Sequence, residues 1–194
     1  MPIKKRKSGQ ATKYGILAMV LVGGGLVAIG IAALLLLPGN ASTGSETTVD
    51  ANRPAKVNFP APDLNLHDLH GQPVSLADHL GQVLLVNNWA TWCPPCRQEM
   101  PILEAYFRDH NHQGFMIVAI EAGDAVETVS EFISQHEMSF PVWVDPSSSA
   151  LNKFRNNYLP SSYLINEDGQ VIMVWSGAVT RASLEQNITP LLLE

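Results

Sequence analysis

The chain has 194 residues, 46% hydrophobic and 15% charged, which supports a folded core and excludes wholesale disorder. Its 14 Gly and 13 Pro exclude collagen-like repeats, and two Cys exclude a disulfide-rich scaffold or a four-thiolate zinc site. The net charge of −6 is uneven: five of the 12 basic residues stand in the first fourteen positions, and all 18 acidic residues come at Glu46 or later. Such an acidic body has no electrostatic footprint for nucleic acid, so no nucleic-acid partner is expected.

Residues 1–14 form a basic head containing Lys4, Lys5, Arg6, Lys7 and Lys13. Residues 15–37 then read GILAMVLVGGGLVAIGIAALLLL without one charge. As a helix this stretch spans roughly 34 Å, enough for a hydrocarbon core of about 30 Å. The basic head places the N-terminus in the cytoplasm and the rest of the chain outside, a single-pass cell-membrane protein. The rival is a cleaved signal peptide ending near Gly39-Asn40-Ala41, whose apolar region would ordinarily be shorter. Residues 38–57 are small and polar and read as a flexible linker. Residues 58–194 remain for one domain outside the membrane.

From Leu64 to Leu69 the sequence predicts a short strand, turned by His70-Gly71-Gln72-Pro73 into Val74-Ser75-Leu76 as a hairpin partner. Val83-Leu84-Leu85-Val86 is an unbroken apolar run, the pattern of a strand buried on both faces. Cys93-Pro94-Pro95-Cys96 follows. Ile102, Leu103, Tyr106 and Phe107 then recur at helical spacing, with Pro101 expected to kink that helix early.

Met116 to Ile120 reads as a second buried strand. Asp124 with Glu127 has the form of a capping box for a helix turning Val126, Val129, Phe132 and Ile133 inward. Phe140 to Val144 reads as a third strand, with Pro141 at its first pairing position or on an edge. A short helix is expected near residues 150–155. Ser162–Ile165 and Val171–Trp175 flank the hairpin loop Asn166-Glu167-Asp168-Gly169, and Thr180 caps a last helix. A hairpin followed by strands alternating with helices gives a three-layer α/β sandwich with a mixed sheet.

Both cysteines stand in one CxxC between a buried strand and a helix. Orphan N–H groups and the positive helix end favour a thiolate at the first Cys, lowering its pKa from about 8.5 into the range of about 3.5–7.5. Cys93 is therefore expected to be the exposed nucleophile, and Cys96, one turn in, the buried thiol that resolves a mixed disulfide. Pro94 and Pro95 have no N–H at the first helical positions and stiffen the turn. A purely structural disulfide here closes too small a loop to stabilise much. No spacing links His67, His70, His110 or His112 to the thiols as metal ligands; those histidines are expected to be solvated. No metal or cofactor is expected.

The segment Asn87-Asn88-Trp89-Ala90-Thr91-Trp92-Cys93-Pro94-Pro95-Cys96-Arg97-Gln98-Glu99-Met100-Pro101 resembles the active-site segment of the TlpA/ResA-like branch of the thioredoxin superfamily, redoxin (AhpC/TSA-like) domains tethered outside the cytoplasm. Ala61-Pro62-Asp63-Leu64, Gly71-Gln72-Pro73-Val74-Ser75-Leu76 and Leu159-Pro160-Ser161-Ser162-Tyr163-Leu164-Ile165 follow in family order. The resemblance implies a thioredoxin-like sandwich with an N-terminal β-hairpin extension, preceded by one transmembrane helix. It implies a Cys93–Cys96 redox disulfide, and a cis bond before Pro160 that offers the Leu159 backbone to an extended substrate. Trp92, Pro94 and Pro95 join Leu159 as substrate-binding positions.

Glu99, on the helix face of Cys96, matches an acidic residue able to take that thiol's proton; a solvated surface Glu is the alternative. Asn87 agrees with the branch. Asn88 stands where the family usually has a large aromatic, so a polar side chain must find a partner or bear its desolvation.

The function implied is reduction of disulfides in exported proteins, an apocytochrome c among them, with electrons from a membrane thiol-transfer donor of the CcdA/DsbD type. Two alternatives stand beside it: a thiol peroxidase of the redoxin type using Thr91 and an Arg, and a metal-handling thioredoxin-like module binding Cu(I) through the thiols.

Overall fold

The computed structural model describes residues 53–193, within one compact unit. The basic head, the apolar span 15–37 and most of the linker lie outside the described residues. Among the described residues no helix is long and apolar enough to cross a membrane.

β4 (Val83–Trp89) is the axis of the sheet and is buried along its whole length. It pairs in parallel with β5 (Phe115–Ala122) and antiparallel with β7 (Ser161–Ile165). β6 (Val142–Asp145) lies parallel beyond β5, and β8 (Gln170–Ser176) antiparallel beyond β7. The hairpin of β2 (Asn65–Asp68) and β3 (Pro73–Ser75) joins antiparallel to β6, and β1 (Ala55–Pro60) joins antiparallel to β8. The order across the mixed sheet is β1-β8-β7-β4-β5-β6-β2-β3.

α1 (Pro94–His110) connects β4 to β5, and α2 (Val126–Gln135) connects β5 to β6. Crossovers of the usual hand that step the same way place their helices on the same face. Met100 and Leu103 of α1, Val129 and Phe132 of α2, and Leu184 of α4 (Arg181–Asn187) share one core with Leu85 and Trp89. The chain then returns from β6 to β7 through α3 (Ser149–Lys153), whose Ala150 packs with Leu84, Val86 and Tyr163 in a second core. Strand alternation divides β4 accordingly: Leu85, Asn87 and Trp89 point to the first core, Leu84, Val86 and Asn88 to the second. The result is the three-layer α/β sandwich.

Several expectations are corrected. The last residues of the linker, read as 38–57, are already strand: β1 begins at Ala55, before the expected domain start at 58. Its only inward positions, Val57 and Phe59, are half-buried on an edge, too weak an alternation to stand out. α1 runs through Pro101 as a single helix. α2 has no capping box; Ala125 is its N-cap, without a side-chain bond. Pro141 precedes β6, where its carbonyl accepts the Ala119 N–H at 3.0 Å. His110 is buried rather than solvated, its Nδ1 2.9 Å from the Tyr106 carbonyl and its ring stacked on Tyr106. Thr180 caps α4 as expected, its hydroxyl accepting the Ser183 N–H.

Candidate active site

β4 leads through Ala90–Trp92 to Cys93, the N-cap of α1. Cys93 and Cys96 are joined as a disulfide, their Cα atoms 5.3 Å apart. The Cys93 sulfur accepts the Cys96 N–H at 3.4 Å, while Pro94 and Pro95 fill the first helical positions. On reduction, that N–H and the helix dipole favour a thiolate on Cys93 over one on Cys96. Cys93 is less open than the sequence suggests. It shows 4% of its surface in the disulfide, between an exposed Trp92 (65%) and exposed Pro94 and Pro95. Cys96 is fully buried.

Three residues after Cys96, Glu99 is buried rather than solvated. Its Oε1 accepts from Asn87 Nδ2 at 2.8 Å, and its Oε2 accepts the Val179 N–H at 2.8 Å. Burial pushes this carboxyl up to about 7, against the opposing pull of the Val179 and Asn87 hydrogen bonds. Asn87 also donates to Ser162 Oγ at 2.9 Å. One buried network thus ties α1, β4, β7 and the approach to α4.

The Leu159–Pro160 bond is cis. Ser161, the next residue, pairs with Asn88 at the end of β4, so the register brings this bond to the disulfide's end of the sheet. Pro160 is buried and its carbonyl accepts the Gly177 N–H at 2.9 Å; Leu159 is half-buried and Tyr158 exposed. Asn88 is buried, and neither atom of its side-chain amide has a hydrogen-bond partner in the protein.

A reducible disulfide on a helix end, a buried carboxyl behind it and a cis-proline at the same sheet end are parts of a dithiol exchanger. A family model, the AhpC/TSA family, matches residues 57–174. The chain belongs to the AhpC/TSA family. Within it the chain is 34% identical over 133 residues to the thiol-disulfide oxidoreductase ResA of a Bacillus cereus strain, covering 67% of this chain and 77% of that one.

Among solved structures, a thiol:disulfide interchange protein of the thioredoxin family from Chlorobium tepidum TLS is 27% identical, with a TM-score of 0.62 over 71% of this chain and 99% of that one. A secreted thiol-disulfide isomerase from Corynebacterium glutamicum shares the fold at 20% identity, with a TM-score of 0.68 over 75% and 95%. This AhpC/TSA-family protein is a thiol–disulfide oxidoreductase with a thioredoxin-like fold.

Sequence reasoning missed part of the surround of this oxidoreductase site. Thr91, two residues before Cys93, donates its Oγ1–H to Asp124 Oδ2 at 2.5 Å and its N–H to the same oxygen at 3.3 Å. That hydroxyl is thereby engaged away from a peroxidatic role. Asp124, expected to cap α2, holds the active-site loop instead. Ser162 and the Val179 amide were also missed, because only tertiary structure brings them to Asn87 and Glu99.

Proposed function

We propose that this protein is a membrane-anchored disulfide reductase working outside the cytoplasm. Residues 15–37 hold it in the cell membrane with the N-terminus in the cytoplasm, an assignment supported by the uncharged span and the basic head. The Cys93 thiolate attacks a disulfide of an exported protein, forming a mixed disulfide and releasing one substrate thiolate. Cys96 gives its proton to Glu99 and attacks the Cys93 sulfur, releasing the second substrate thiolate and closing Cys93–Cys96.

Trp92, Pro94 and Pro95 on one side and Leu159–Pro160 on the other receive the substrate chain in extended form. Two electrons from a membrane thiol-transfer donor of the CcdA/DsbD type reopen the disulfide, since nothing soluble outside the cytoplasm keeps thiols reduced. The substrate class is a CxxCH-type disulfide such as that of an apocytochrome c. The observation carrying the reading is the Cys93–Cys96 disulfide on the N-cap of α1, backed by a buried Glu99 held at about 7.

The Cys96→Ala chain is expected to accumulate mixed disulfides through Cys93 with exported proteins in cells. Recovery of none overturns the reading. The Cys93/Cys96 couple is expected near about −270 mV; a value near about −120 mV makes the protein an oxidant instead.

A further inference from the structure

Glu121 is the only charged residue in the β5 sequence FMIVAIEA, and it is fully buried. It stands opposite Trp89 in the β4–β5 ladder, hence on the same face. Its Oε2 accepts the Asp124 N–H at 3.0 Å. Asp124 in turn accepts both the hydroxyl and the N–H of Thr91. A chain of hydrogen bonds therefore runs from a carboxyl inside the sheet to the loop that delivers Cys93 to the helix N-cap. Glu121 Oε1 and Trp89 Nε1, on register-paired residues, are both buried without a hydrogen-bond partner in the protein.

The charges around Glu121 are mostly of its own sign. Asp124 is on the loop that follows it, and Asp145 is at the end of β6, holding Ser147, Ser149 and the Ala150 N–H. Glu127 and Glu131 on α2 are exposed. From α1, Arg97 lies over the Phe132 ring at 5.9 Å, and that ring packs on Trp89 at 5.1 Å. Burial, then the side chain of Asp124, then the charge of Asp145 push Glu121 up to about 8, against the opposing pull of the Asp124 N–H. At neutral pH Glu121 therefore keeps its proton.

We propose that Asp124 is a positioning residue for thiol exchange, holding the Thr91–Trp92–Cys93 loop through Thr91, and that Glu121 is the buried group that fixes Asp124. This rests on Cys93 being the attacking thiol. Neither residue touches the reacting sulfur; both act through the loop. Ionisation of Glu121 adds a negative charge beneath that loop. The Cys93 thiolate becomes less favourable, and the couple shifts in the reducing direction above about pH 8.

The test uses the full chain in detergent, reduced, with iodoacetamide alkylation of Cys93 followed from pH 5 to 10 and disulfide reduction measured on insulin. Thr91→Val is expected to lower kcat/KM about tenfold, the loss of roughly one charge-assisted hydrogen bond. Thr91→Ser is expected to restore it to within about twofold, because the serine hydroxyl can make the same bond to Asp124. Glu121→Gln is expected to remove the step near pH 8 from the alkylation profile, because Gln does not titrate.

The inference is overturned if Thr91→Val matches the parent protein, or if Glu121→Gln keeps that step. In either case continued alkylation at Cys93 leaves the reductase reading standing. Alkylation of the parent protein at Cys96 instead of Cys93 overturns both.

Discussion

Asn87 and Asn88 are neighbours on one strand and meet opposite fates. Asn87 faces the core that carries α1, where its amide donates to Glu99 and to Ser162; only its carbonyl oxygen lacks a partner. Asn88 faces the other core, with neither amide atom partnered. The same side chain, buried to the same degree one residue apart, is part of a network on the catalytic face and an uncompensated polar group on the other. A buried amide stabilises only through what it bonds. The contrast separates the half of β4 that serves the chemistry from the half that merely closes the sandwich.

Three measurements on the oxidised protein would break or sharpen that contrast. The largest effect is expected from pH. Glu99 holds its proton to about 7 in the fold but releases it near the ordinary 4.5 when unfolded. The unfolded chain therefore binds fewer protons across that window, and stability falls as pH rises through it, by about 3 kcal/mol in all from this group. Glu121, held at about 8, adds to the fall over the same range and carries it on past 7. In urea titrations from pH 4 to 8, Glu99→Gln is expected to make the decline shallower between about 4.5 and 7; an unchanged slope would remove Glu99 as one of its sources.

Next in size, Asn87→Ala removes both hydrogen bonds and leaves Glu99 and Ser162 short of a donor. A loss of about 2 kcal/mol is expected at pH 7. A loss below roughly 0.5 kcal/mol would show that the network contributes little to the fold.

The smallest effect has the opposite sign. Asn88→Leu puts an apolar side chain where the amide bonds to nothing, among Val86, Ile120 and Tyr163. A gain of about 1 kcal/mol is expected, with disulfide reduction unaffected. A loss of stability there would mean that Asn88 has a partner after all and that the two faces are more alike than they look.

Much of this arrangement was legible before any coordinates. The CxxC, Glu99 and Pro160 belong to local motifs, β4 and β5 announce themselves as apolar runs, and β7 as one arm of a hairpin. What was not legible depends on residues far apart in sequence. Asp124 with Glu127 has the pattern of a helix cap, and the pattern is real, but Thr91, 33 residues upstream, claims the carboxylate. β1 was hidden because an edge strand needs only two half-buried side chains. Glu121 could have been flagged, since a lone acid inside an apolar strand has to be accounted for. Its partners could not. The openness of Cys93 was misjudged for a related reason: helix-end chemistry says which sulfur is reactive, not how much of it the fold leaves uncovered.

That covering sets an entry rule for partners. A Cys93 that shows only 4% of its surface leaves little room for a bulky folded surface to meet its sulfur. In the reductase role proposed above, cystines on chains still waiting to fold would be admitted ahead of those lodged inside finished proteins.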